Sequence, residues 1–108
     1  MKESPTLALV ISTVELEVDA NRLARELVSE SLAACVQIDG PIQSCYRWND
    51  QVEHATEYRL MIKTTLTVWP TLKERLLKLH PYDEPEIIMV PIADASEGYG
   101  AWVVDQTT

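Results

Sequence analysis

A chain of 108 residues lies near the commonest size for one domain, which argues against two independent cores and predicts a single domain over residues 1–108. Its apolar fraction of 46% and charged fraction of 24% are ordinary for a globular protein and exclude long disorder or a fibrous repeat. Seventeen acidic against nine basic residues give a formal charge of -8, with the cations scattered, so the chain repels phosphate backbones and nucleic acid is not an expected partner.

Thr6 to Val14 (TLALVISTV) is apolar and β-branched without a polar face, which predicts a strand covered on both sides. It is far too short to span a bilayer and is flanked by Glu3, Glu15 and Glu17 without a cleavage pattern, so the expectation is a soluble, cytoplasmic protein with no membrane partner. Asp19 is placed to cap a helix reaching about Leu32. Leu23, Ala24, Leu27, Val28 and Ser31 recur at helical spacing, while Arg22, Arg25, Glu26 and Glu30 point away.

From Ala33 the pattern turns extended, breaks at Gly40-Pro41 and resumes up to Trp48, predicting one long second strand with a bulge. Cys35 and Cys45 sit on that strand. At strand rise ten residues span roughly 30 Å, so they cannot bridge each other and read as thiols of a reducing compartment.

Asn49-Asp50 supplies residue types that tolerate the positive φ of a two-residue turn, and Gln51 to Thr65 reads as the returning strand of a long hairpin. Thr67 is placed to cap a second helix to about Leu79, with Pro70 tolerated in its first turn and Trp69, Leu72, Leu76 and Leu79 as its buried stripe. His80-Pro81 ends it. Glu86 to Ile92 is the last strand, with Pro91 marking a sheet edge, and a short helix around Tyr99 to Val104 closes the chain.

The order is β-α-β-β-α-β plus a tail helix, an α+β ferredoxin-like arrangement with a long β2–β3 hairpin. Two helices cover one face of such a sheet. Apolar residues on both faces of the first, third and fourth strands therefore predict that another subunit covers the second, because each Leu or Ile left in water forgoes about 1.5–3 kcal/mol.

The strings SLAACVQI, CYRWNDQVE, EYRLMIKT and HPYDEPEI, with the late pair Tyr99 and Trp102, closely resemble the CutA family, named for divalent cation tolerance, over nearly the whole chain. The resemblance implies a tight homotrimer similar to PII signalling proteins. It further implies copper or another divalent cation, or a small molecule, as ligand, and no cofactor required for folding; the alternative it leaves open is a trimeric scaffold or anchor for a protein partner. The family's proposed copper site carries over only in His80: Ser12 stands where a cysteine is expected and Leu79 where some members have a further histidine.

The segment from His80 to Glu86 packs one imidazole and three carboxylates into seven residues, donors that Cu(II) or Zn(II) accepts, so His80 and Glu86 are the candidate metal ligands. A helix stop with its polar groups satisfied by the backbone is the competing reading. The candidate ligand cleft, at a subunit boundary, takes Ser12, Tyr46, Trp48, Tyr82 and Trp102 with Glu57, Lys63 and Glu86 as orienting charges. In the third strand Glu57, Arg59, Met61 and Lys63 share one face by their period of two. No nucleophile motif points to an enzyme, and the loop VELEVDA lacks the glycine and arginine with which acylphosphatases of this fold hold phosphate.

Overall fold

Eight residues of β1 (Leu7–Val14) run up the middle of a four-stranded sheet, between β3 (Gln51–Thr65) and β4 (Ile87–Pro91), with β2 (Cys35–Trp48) outside β3. The computed structural model describes residues 5–108; residues 1–4, including Glu3, lie outside the described residues. Every neighbouring pair is antiparallel, so the order β2-β3-β1-β4 with two helical crossovers is the ferredoxin-like α+β fold expected from the sequence. Pro91 falls on β4, an edge strand, where a missing donor costs no ladder bond on the open side.

Helices α1 (Glu17–Ser29) and α2 (Trp69–Leu79) cover one sheet face. Val10 and Val14 of β1 and Leu60 and Ile62 of β3 point at them and meet Ala20, Leu23, Leu27, Leu72 and Leu76, all fully buried. Across the outer surface Arg75 of α2 donates to Glu30 at 2.8 Å and to Glu26 at 3.2 Å, tying the two helices together.

The helix starts differ from the sequence expectation. α1 begins at Glu17 with Leu16 at the N-cap and no side-chain cap. Asp19 is not the cap: it lies in the first turn beside Arg22 at 3.4 Å, where its charge complements the helix dipole. Thr67 does not cap α2 either. Val68 holds that position and its N–H donates to Thr65 Oγ1 at 3.3 Å. α1 also stops three residues before Leu32, because Ser31 takes φ 60° and the Leu32 and Ser31 N–H groups return to the carbonyls of Leu27 and Val28. That closing pair of bonds commonly uses glycine at the left-handed position, so a serine there hid the stop.

The hairpin follows its turn residues. Asn49 and Asp50 have φ of 50° and 61°, the mirror-image turn whose twist suits paired strands. Gly40 sits where the β2–β3 register slips between Asp39 and Ile42. Its φ is 150°, and a Cβ there would lie 2.8 Å from the Tyr58 ring, so the bulge needs glycine. The paired strands run past the bulge to the tip, drawing the molecule out to 53 × 25 × 22 Å.

The second sheet face is partly covered by the chain itself, which corrects the expectation that two helices leave it bare. α3 spans Glu97–Gln106, longer than the Tyr99 to Val104 segment predicted, since Gly98 and Gly100 weaken its sequence signal. Its Val103 packs with Leu7 and Ala34 over one end of that face, with Ile92 and Val104 alongside. Beyond α3 a stripe remains: Leu9 and Ile11 of β1 and Met61 of β3 are half-buried, and Ile88 and Val90 of β4, their cross-strand neighbours, are 48% and 45% exposed.

Leu76→Ala in the packed layer is expected to cost about 2–5 kcal/mol in urea unfolding, whereas Leu77→Ala, on the exposed side of the same helix, should stay within about 0.5 kcal/mol. Equal losses in the two variants would contradict this packing.

Candidate functional site

α2 ends because His80 precedes Pro81 and leaves helical geometry, with φ -69° and ψ 135°. The turn sends the imidazole inward to the end of β1, where it is 8% exposed. Its Nε2 lies 2.9 Å from the Thr13 carbonyl and 3.1 Å from Ser12 Oγ. The Tyr82 amide donates to Nδ1 at 3.1 Å. An amide N–H can only donate, so Nδ1 is unprotonated and Nε2 carries the proton that Thr13 accepts. The ring is thus neutral, with both nitrogens bound. Burial holds it below the ordinary imidazole value of 6.5; the bond to Thr13, Asp19 and Glu57 pull it partly back up, and Arg22 adds to the depression.

The same turn aims Tyr82 along the sheet. Its ring tilts against His80 with centroids 4.9 Å apart, and its hydroxyl donates to Glu57 Oε2 at 2.9 Å. Burial, then the Glu57 carboxylate, pushes the phenol well above its usual range. Glu57 is itself only 7% exposed although it stands on the sheet face opposite the two large helices, because the α2–β4 connection folds over it.

Tyr82 and Glu57 line a cleft of about 660 Å³. Tyr46 and Trp48 of β2 supply the hairpin wall, Thr13, Ala55 and Glu57 the floor, and Tyr82, Asp83, Glu84 and Glu86 the α2–β4 rim, with Ser44 and Cys45 also lining it. The contents are three aromatic rings and four carboxylates. Cys45 is a free, exposed thiol.

Of the residues expected in the cleft, Tyr46, Trp48, Glu57, Tyr82 and Glu86 converge there. Ser12 does not; it is fully buried beneath, facing His80. Lys63 does not either. Six residues along β3 from Glu57 is about 20 Å at strand rise, and its ammonium donates to Gln37. Trp102 lies on α3, against Tyr99 with centroids 5.7 Å apart, outside the residues lining the cleft. Asp83 and Glu84, counted in sequence only among the three carboxylates of the His80 to Glu86 segment, stand at the cleft mouth. As for metal ligation, among the described residues no three His, Cys, Asp or Glu side chains gather as a metal site would require, and His80 has no free lone pair in this arrangement.

Comparison with known proteins gives a consistent match. The family model described as "CutA1 divalent ion tolerance protein" matches residues 8–106. The chain is 43% identical over 99 residues to the "Divalent-cation tolerance protein CutA" of Thermus thermophilus, covering 92% of this chain and 96% of that one. It is 35% identical to the chloroplastic CutA protein of Arabidopsis thaliana, of which it spans 58%. The crystal structure of CutA1 from Oryza sativa superposes with a TM-score of 0.94 at 35% identity, covering 97% of this chain and 96% of that one.

The depressed His80 value sets a pH dependence. The unfolded imidazole takes up a proton near 6.5 while the folded one resists, so the unfolded state binds more protons below that pH. Stability should fall as pH drops from 7.5 to 5.5, and the thermal midpoint of a His80→Gln variant should vary less over that window. A variant as pH-dependent as the parent chain would contradict the buried, neutral ring.

Proposed function

The chain belongs to the CutA1 divalent ion tolerance family, and on that premise we propose that it acts as a cytoplasmic homotrimer binding a small ligand or divalent cation in clefts at its subunit boundaries, as a carrier or regulator. The observation that carries this reading is the cleft itself. It opens on the same sheet face as the uncovered stripe of Leu9, Ile11, Met61, Ile88 and Val90, so copies that bury the stripe against one another bring their clefts to the boundary. Its size falls in the usual range for small-molecule sites.

Binding, not catalysis, suits these groups. The imidazole of His80, behind Tyr82, is buried and held on both nitrogens, leaving it no ready part in proton transfer to a substrate. For a divalent cation the cleft offers the oxygens of Glu57, Asp83, Glu84 and Glu86 as separate donors, of the kind hard ions take, with no three of them gathered on one point among the described residues. The candidate pair His80 and Glu86 would hold a softer ion only if the Tyr82 amide gave up Nδ1. Free cysteines support a reducing compartment, and among the described residues no helix is long and apolar enough to cross a membrane.

Light scattering of the purified protein at micromolar concentration should give the mass of three chains, and Ile88→Lys combined with Val90→Lys should shift it toward one. A stable monomer of the unaltered chain would overturn the assembly.

A further inference from the structure

We propose that the ligand of this cleft is an organic ammonium ion, held between the aromatic faces of Tyr46, Trp48 and Tyr82 and the carboxylate of Glu57. The assignment rests on the cleft being the binding site and narrows the class of molecule it takes.

Glu57 provides the first argument. A carboxylate this buried is costly unless a cation or a full set of hydrogen bonds compensates it. Tyr82 donates one bond to Oε2, and among the described residues no second donor reaches either oxygen and no lysine, arginine or histidine lies within 4.0 Å. The nearest cations in the strand are committed elsewhere. Arg59 makes a bidentate pair with Asp39 at 2.7 and 3.2 Å, and Lys63 is turned to Gln37. The other Glu57 oxygen stays open to the cleft, so a cation entering the cleft reaches a carboxylate that no cation among the described residues neutralises.

The cleft walls give the second. Tyr46 and Trp48 share one face of β2 by the two-residue period and are 45% and 54% exposed, with Tyr82 across from them. An aromatic face carries negative potential and attracts an ammonium or alkylammonium group, most strongly when water is excluded. Exposed rings beside carboxylates suit an organic cation, whose apolar stem covers ring area as its charge meets the acid.

A bare metal ion fits less well. It needs three or more donors converging on a point, and none do among the described residues. Asp83, Glu84 and Glu86 instead stand around the rim, where they raise the local concentration of a cation without chelating it. The same field disfavours anions, and a neutral molecule gains nothing from the Glu57 charge.

The test is calorimetric titration of the full-length protein with spermidine, with an uncharged diol of matching length, and with Mg2+ and Cu2+ alone. Spermidine should bind saturably and at least about tenfold tighter than the diol, and Glu57→Gln and Trp48→Ala should each weaken it about tenfold. Glu74→Gln, an exposed charge on α2, should leave it unchanged, which separates the cleft from general attraction to an acidic surface. Diol binding equal to that of spermidine and lost in Trp48→Ala would overturn the ammonium assignment while leaving the cleft as the site. Cu2+ or Mg2+ bound through Glu57 and not displaced by spermidine would do the same. No cleft-dependent binding of any probe would overturn both readings. If Glu57→Gln lowers the oligomer mass and spares spermidine binding, the counter-charge belongs to a second copy and the assignment fails.

Discussion

The site depends on how one imidazole is held. His80 leaves α2 at a proline-enforced stop, enters the end of β1, and is fixed by the Thr13 carbonyl on one nitrogen and the Tyr82 amide on the other. Those bonds set the path of the next six residues. They turn Tyr82 along the open sheet face, where its hydroxyl meets Glu57, and they carry Asp83, Glu84 and Glu86 to the rim. A histidine suits this position because only a neutral imidazole offers a donor and an acceptor on opposite sides of one rigid ring. Ser12, in place of a bulkier or ligating side chain, leaves room for the ring and shares its proton.

The second constraint is one of area. Two helices close one sheet face over β1 and the base of the hairpin, and α3 closes one end of the other with Val103, Leu7 and Ala34. The apolar stripe beyond it continues toward the cleft on the same face. The uncovered stripe and the cleft are thus two consequences of one topology, in which the long hairpin lifts Tyr46 and Trp48 past the end of β1. The family match and the close superposition on a rice homologue place this fold in known company.

Much of the fold was legible because local chemistry and tertiary demand agreed. The alternation in Gln51 to Thr65, the Asn49-Asp50 turn, the Gly40 bulge and the edge Pro91 each have a backbone reason visible in the residue type. The helix ends were less legible. Leu16 and Val68 occupy cap positions without a capping side chain, and Ser31 does what glycine usually does. In the site, the two-residue period grouped Glu57 with Arg59, Met61 and Lys63 on one face of the third strand, while Tyr46 and Trp48 stood out as aromatic candidates for the cleft wall. Lys63 shares Glu57's face but not its neighbourhood, since period says nothing of distance along a strand. The role of His80 was hidden because its partners, Ser12 and Thr13, stand 68 and 67 residues away. A histidine beside three acids reads either as a ligand or as a helix stop with its nitrogens satisfied, and in the fold Thr13 and Tyr82 occupy those nitrogens.

The hydrogen bonds of His80 can be observed directly by long-range proton–nitrogen correlation NMR on the ring of the uniformly labelled protein near pH 7. The account predicts a neutral ring protonated at Nε2 with an acceptor-type shift at Nδ1. A ring protonated at Nδ1, or an imidazolium, would contradict it, because the Tyr82 amide would then face a donor and the cleft wall would lose its anchor.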